Sequence, residues 1–156
     1  MERKALFPGS FDPFTSGHLN ILMRALTMFD VVYVAAGVNQ DKRGFFSMDQ
    51  RLDIIRQATR GMKGVKIIQY DGLTVDICRE LGVRHIVRGV RNMTDFDNEQ
   101  AIADANRHLY PELETLIIPT AQEYAHISSS AVRDVVRHHG DTSQFIPEGV
   151  VLPEAE

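Results

Sequence analysis

Five short apolar runs, separated by stretches with helical spacing, leave this chain few architectures to adopt. The runs cover residues 4–7, 31–36, 65–68, 85–87 and 115–118. Most are near-continuous rather than alternating, the pattern of parallel strands buried on both faces. Between them the spacing predicts five helices. The first places Leu19, Leu22, Met23, Leu26 and Phe29 on one face. The second opens on Ser47-Met48-Asp49-Gln50, a capping box in which Ser47 and Gln50 satisfy free N–H groups reciprocally. A third spans residues 74–81 and stops at Gly82, which can take the left-handed conformation. The fourth, residues 95–109, turns Phe96, Ile102, Ala105 and Leu109 inward, and the fifth, from Ser128 to about Gly140, turns in Val132, Val135 and Val136. Strands alternating with helices predict an α/β, Rossmann-like doubly wound five-stranded parallel sheet with right-handed crossovers. Such sheets bind ligands beyond the carboxyl ends of their strands, so the chemistry belongs on the strand-to-helix loops.

The 156 residues fit one domain, 1–156, whose short tail after about residue 147 is expected on the surface. A net charge of −4 argues against a general nucleic-acid binder. The lone Cys78 excludes an internal disulfide and a multi-cysteine zinc site, and it reads as a small buried hydrophobe. Met23 and Met28 fit core packing. The longest apolar stretch, residues 31–38, is far short of the roughly 20 that cross a bilayer. With no secretory pattern at the start, the expected location is cytoplasmic, without membrane or nucleic-acid partners. His138, His139 and Asp141 read as a helix end rather than a metal site.

No GxGxxG, GxxxxGK[ST], HExxH or GxSxG pattern is present. Any phosphate site must therefore use another loop. Residues 7–18 join the first strand to the first helix and combine Gly9 and Gly17 with Ser10, Thr15, Ser16 and His18. Phosphate is favoured at a helix N-terminus, where unpaired N–H groups and the dipole point the same way. An ordinary capped turn with a surface histidine explains the same residues. Arg88-Gly89-Val90-Arg91 follows the fourth strand; its two guanidiniums suit bidentate phosphate recognition, although solvated surface arginines are as good an account. Ile127-Ser128-Ser129-Ser130, followed by Arg133, opens the last helix with more hydroxyls than an N-cap needs. Lys42 lies in a polar loop, where a lysine is ordinarily only solvated.

Gly9-Ser10-Phe11-Asp12-Pro13 with Thr15-Ser16-Gly17-His18 resembles the (His/Thr)-x-Gly-His phosphate signature of the nucleotidyltransferase superfamily. Ile127-Ser128-Ser129-Ser130 resembles its second signature, Ile-Ser-Ser-(Ser/Thr). From Lys4 to about Pro147 the chain resembles, more narrowly, the bacterial phosphopantetheine adenylyltransferases. The resemblance implies transfer of the adenylyl group of ATP to 4′-phosphopantetheine, giving dephospho-coenzyme A and pyrophosphate by direct in-line attack, without a covalent enzyme intermediate. It assigns catalysis to His18, Lys42 and Arg91. It assigns ATP contacts to Ser10, Phe11, His18, Gly89, Val90, Arg91, Glu99 and the run Tyr124, Ala125, His126, Ile127, Ser128, Ser129 and Ser130. Phosphopantetheine contacts fall to Ser10, Lys42, Thr74 and Arg88. Where relatives often carry Trp-Ser-Phe before the isoleucine, this chain has Tyr124-Ala125-His126. Mg²⁺ is expected on the ATP phosphates rather than in a protein cage. The resemblance also implies a homohexamer and coenzyme A as a feedback ligand.

Overall fold

The apolar runs become strands β1 (Lys4–Gly9), β2 (Val31–Gly37), β3 (Val65–Tyr70), β4 (His85–Val90) and β5 (Glu114–Pro119) of one parallel sheet. The structure, a computed structural model, describes residues 1–154, so the last two residues of the expected domain and tail lie outside it. The strand order is β3-β2-β1-β4-β5. The connecting helices are α1 (Ser16–Ala25), α2 (Met48–Ala58), α3 (Thr74–Leu81), α4 (Met93–Leu109) and α5 (Ser129–Arg137), with a 3₁₀ turn at Gln122–Tyr124.

Side-chain alternation divides the core into two layers. Ala5, Phe7, Val32, Val34 and Ala36 face one side of the sheet and pack with Ile21 and Leu22 of α1, Ile54 and Ile55 of α2, and Val132 and Val136 of α5. Leu6, Tyr33, Ala35 and Ile86 face the other side and pack with Val75 and Cys78 of α3. Burial of Cys78 pushes its thiol up to about 11, which keeps it an inert hydrophobe. The predicted capping box holds: Ser47 Oγ accepts from Gln50 N–H at 3.2 Å, and Gln50 Oε1 accepts from Ser47 N–H at 2.9 Å. Helix α3 ends as expected at Gly82, which is left-handed with φ 67°.

Two expectations are corrected. Met23 and Met28 are exposed, at 54% and 37%, because the buried face of α1 is Ile21, Leu22 and Ala25. Helix α4 begins two residues early, capped by Asn92, and buries no residue. Phe96 is half-buried, while Ile102, Ala105 and Leu109 are exposed, so helical spacing marked an apolar stripe that nothing among the described residues covers. The segment after the last helix is anchored at a few points, while most of the tail after Pro147 lies on the surface. Ile146 and Val150 enter the first core layer, and Val151 exchanges hydrogen bonds with the Gln57 side chain. No helix among the described residues is long and apolar enough to cross a membrane.

Candidate active site

The chain winds from β1 to β2 and β3 on one side and to β4 and β5 on the other, which makes the β1/β4 boundary the switch point where a crevice opens. The two strands are in register at Leu6 and Ile86. Beyond that pair, the Arg88 guanidinium reaches across to donate to the Pro8 carbonyl. Three concavities meet at this end of the sheet, and Ser10 borders all of them. One of about 210 Å³ lies between the residue 9–18 loop, Gly89, Arg91 and the start of α5. A second, of about 300 Å³, runs from Gly9 past Tyr70 and Thr74 to Glu99 and Ile102. The third, of about 450 Å³, holds Lys42 together with Arg43, Arg133 and Arg137.

His18 is both a wall of the first concavity and a structural part of α1. Thr15 caps the helix, accepting from His18 N–H through Oγ1 at 3.3 Å, while Thr15 N–H donates to His18 Nδ1 at 2.9 Å. A backbone N–H can only donate, so Nδ1 carries the lone pair and the ring proton resides on Nε2. The rings of Phe11 and Phe14 lie 5.0 and 5.4 Å from the imidazole, with Phe7 at 6.3 Å. Burial in this aromatic shell, reinforced by the charges of Arg88 and Arg91, lowers the His18 pKa to about 3. His18 is therefore a neutral donor at physiological pH. Phe11 takes a left-handed φ of 46°, folding its ring back so that a Cβ on Gly9 would stand 3.1 Å from it. Gly9 is the residue that permits this.

Each arginine of the Arg88-Gly89-Val90-Arg91 run is held by an acid from α4. Glu99 takes Arg88 in a two-point ion pair, at 2.8 and 2.9 Å, with its own side chain only 12% exposed. Asp95 accepts from Arg91 through both the backbone N–H, at 3.0 Å, and Nε, at 3.2 Å. A Cβ on Gly89 would meet Ile21 Cγ1 at 2.9 Å, so this glycine lets α1 approach β4.

The serine turn is used more fully than a cap requires. Ser128 Oγ accepts from Ala131 N–H at 3.1 Å, Ser129 Oγ donates to the Pro13 carbonyl at 2.9 Å, and Ser130 Oγ accepts from Arg133 Nη2 at 2.9 Å. The hydroxyl protons of Ser128 and Ser130 stay available. The N–H groups of Ser129 and Ser130 have no intrahelical acceptor, as in any first helical turn.

The structure thus brings Ser10, Phe11, His18, Gly89, Arg91, Tyr124, Ile127, Ser128 and Ser129 to one concavity or its wall, with Arg88 shared by the first two. Glu99 borders the second concavity rather than the first. Thr74 lines the second and is hydrogen-bonded to the Tyr70 hydroxyl at 3.0 Å. Val90, Ala125, His126 and Ser130 line none of the three; His126 stacks edge-on with Phe145 at 6.1 Å. Lys42 is exposed at the rim of the third. Two supporting residues are not legible from sequence. Arg51, buried inside α2, donates to the carbonyls of Ser10 and Phe46 and lies 3.8 Å from Asp12, whereas an arginine in a helical pattern reads as solvated. Tyr70 lies beyond the apolar run 65–68, and nothing in its sequence neighbourhood marks it.

A family model described as cytidylyltransferase-like matches residues 6–135. A phosphopantetheine adenylyltransferase of Flavobacterium psychrophilum is 47% identical over 95% of this chain and 97% of its own length. Those of Heliobacterium modesticaldum and Bacteroides thetaiotaomicron are 43% and 41% identical, over 97% and 96% of this chain and 90% and 99% of theirs. Among solved structures, a bifunctional NMN adenylyltransferase/ADP ribose pyrophosphatase of Francisella tularensis superposes with a TM-score of 0.72 at 17% identity, over 94% of this chain and 45% of that one. A candidate nicotinate-nucleotide adenylyltransferase of Vibrio parahaemolyticus gives 0.67 at 16%, over 94% of both chains. These distant likenesses show the fold.

Proposed function

The chain belongs to the cytidylyltransferase-like nucleotidyltransferases and, within them, to the phosphopantetheine adenylyltransferases, and from that premise we propose that it joins ATP and 4′-phosphopantetheine into dephospho-coenzyme A and pyrophosphate, the penultimate step of coenzyme A biosynthesis. The observation that carries the site assignment is the neutral His18, fixed by Thr15 with its proton on Nε2, at the wall of a crevice that Arg91 and the serine turn also border. In this reading ATP occupies the first concavity, against Phe11, Gly89, Tyr124 and the turn from Ile127 to Ser129. The pantetheine arm takes the second, past Thr74, with its phosphate between Ser10, Lys42 and Arg88.

No protein nucleophile is required. The acceptor phosphate oxygen is already an anion and attacks the α-phosphorus of ATP in line. The chain has to align two anions and stabilise the charge that builds on the α-phosphate, and good alignment is worth about 7–11 kcal/mol of barrier. His18 Nε2–H and the Arg91 guanidinium donate to that charge, and Lys42 meets the incoming phosphate. The N–H groups and free hydroxyls of Ser128 to Ser130 take the pyrophosphate side.

The family generally uses a divalent metal with ATP. Among the described residues no three His, Cys, Asp or Glu side chains gather where they could hold a metal. Asp12, Asp95 and Glu99 each already face an arginine. These residues fit Mg²⁺ carried on the ATP phosphates, where it neutralises phosphate oxygens when bound. Coenzyme A, which contains the product, fits the same two cavities as a feedback ligand. The uncovered Ile102 and Leu109 of α4 support assembly into a homohexamer, and a cytoplasmic location agrees with the substrates.

The test is pyrophosphate release from Mg-ATP with and without 4′-phosphopantetheine, with nicotinamide mononucleotide as the comparison acceptor. Release only with phosphopantetheine is expected. Release only with the mononucleotide overturns the acceptor, and release with neither overturns the reaction.

A further inference from the structure

The loops that carry Ser10 and Lys42 belong to different crossovers, yet one buried ion pair joins them. Asp12 follows Ser10 in the loop before α1, and Arg51 lies inside α2. Their side chains are only 11% and 10% exposed. Asp12 Oδ2 accepts from Phe45 N–H at 2.8 Å, and Oδ1 accepts from Phe46 N–H at 2.9 Å. Arg51 answers from the other side: Nε donates to the Phe46 carbonyl at 3.0 Å, and Nη1 donates to the Ser10 carbonyl at 3.2 Å. Nε also stands 3.8 Å from Asp12 Oδ1, so the two charges offset each other. Backbone groups of both loops are thereby held by one pair of side chains.

A buried ion pair is seldom the most stable filling of its space, since well-packed apolar residues there are often as stable or more so. What such a pair supplies is direction, because its hydrogen bonds hold only over a narrow range of distance and angle. Gly44 shows how closely the guanidinium is fitted. Its φ is not positive, so glycine is needed here for space alone. An added Cβ would stand 2.7 Å from Arg51 Cζ and 2.8 Å from the Phe46 carbonyl oxygen, and would run into Arg51 Nη2. Retreat by either group strains the bond between Arg51 and Phe46. Just before Gly44 comes Lys42, whose ammonium has no ion-pair partner among the described residues. Its reach is set by where the loop backbone is pinned.

We propose that Arg51 is a positioning residue for the acceptor phosphate: paired with Asp12, it holds the Lys42 loop at a fixed distance from Ser10. The proposal rests on the reading above, in which Ser10 and Lys42 receive that phosphate. Arg51 acts through the backbone, since Nε and Nη1 are committed to the carbonyls of Phe46 and Ser10. A misplacement of about 1 Å can cost about a hundredfold in rate, so a clamp remote from the reacting phosphorus still bears on the reaction. Neither Arg51 nor Asp12 borders the first concavity, where ATP is placed. The effect of the clamp therefore falls on the acceptor.

The test is calorimetric titration of the full chain with 4′-phosphopantetheine and, separately, with ATP. Gly44→Ala crowds the guanidinium while keeping every charge, and Arg51→Lys keeps the charge without the two-armed geometry. A lost charge-assisted hydrogen bond is worth about tenfold in affinity or more. Each variant is expected to raise the phosphopantetheine Kd about tenfold and to leave the ATP Kd within about twofold of the parent. Because the effect runs through Lys42, Gly44→Ala should cost less than about threefold when Lys42→Ala is already present. Equal losses for both ligands overturn the proposal, since a purely structural role would give them. So does an unchanged phosphopantetheine Kd in Gly44→Ala, or a loss of about tenfold that persists in the Lys42→Ala chain. Gly44→Ala alters only a loop and decides alone where Arg51→Lys does not fold. Titration needs no turnover, so a chain that released no pyrophosphate would lose the proposed reaction while these affinities still decided the clamp.

Discussion

Thr15 and His18 clasp each other at the start of α1: the Thr15 N–H donates to His18 Nδ1 at 2.9 Å, and the His18 N–H donates back to Thr15 Oγ1 at 3.3 Å. This is a capping box in which histidine stands where glutamate or glutamine is usual. One contact thus fixes the helix start, the ring orientation and the tautomer.

Replacing His18 by Gln separates those roles, because glutamine restores the box without the imidazole. His18→Gln is expected to lower kcat about a hundred- to a thousand-fold, the worth of one well-aimed donor, with little change in KM for ATP. Its Tm should stay near that of the parent, whereas His18→Ala also loses the cap, at about 1 kcal/mol. Steady-state kinetics on both variants, with thermal unfolding alongside, checks this. A raised KM with intact kcat would make His18 a binding residue only.

The lowered pKa of His18 has a signed effect on stability. Between the ordinary value of 6.5 and about 3, the unfolded chain binds a proton at His18 that the folded chain refuses. The group's stabilising contribution is therefore fully present above pH 6.5 and falls as the solution is acidified, by up to about 1.4 kcal/mol per pH unit. Urea unfolding of the parent and of His18→Gln across this range should show the shallower acid loss in the variant. Parallel slopes would mean that the imidazole is protonated in the folded chain. For the same reason kcat should show no limb near pH 6.5 that disappears on substitution of His18.

Glu99 is expected to act through Arg88, as a positioning residue. It grips the guanidinium at two points and borders the second concavity. Glu99→Gln should raise KM for 4′-phosphopantetheine severalfold and leave KM for ATP nearly unchanged, and Glu99→Asp should recover part of the loss. A rise confined to the KM for ATP would return Glu99 to direct nucleotide contact.

How far the sequence discloses this site depends on whether a residue's job is local. The strands, the capping box at Ser47 and the stop at Gly82 rest on neighbours in the chain, and they fold as their patterns require. Ser10, His18, Arg88, Arg91 and Ser129 are legible for a related reason, since each sits on a strand-to-helix loop or at the element end beside it, a place that follows from βα alternation. The pairings Arg51 with Asp12 and Glu99 with Arg88 are long-range, and periodicity carries no trace of them. Helix α4 shows the converse failure. Its apolar stripe is legible, but the stripe says only that something covers it, and among the described residues nothing does.

Gly89 offers the sharpest separation of packing from chemistry. The resemblance places it against ATP. In the fold its missing side chain is also what admits Ile21, whose Cγ1 and Cδ1 would lie 2.9 and 3.1 Å from an added Cβ. Ile21 is 3% exposed and packed in the first core layer, so it has little room to retreat. Overpacking of this kind typically costs about 1–3 kcal/mol, and Gly89→Ala should lose that much by urea unfolding. If the clash is with Ile21, the double variant Gly89→Ala/Ile21→Ala should be more stable than the sum of the two single losses, since residues in contact couple. If Gly89 also carries nucleotide contact, the double variant should recover stability while KM for ATP stays raised. Strict additivity in unfolding, with normal kinetics, would mean that the helix shifts aside and that neither role constrains this position.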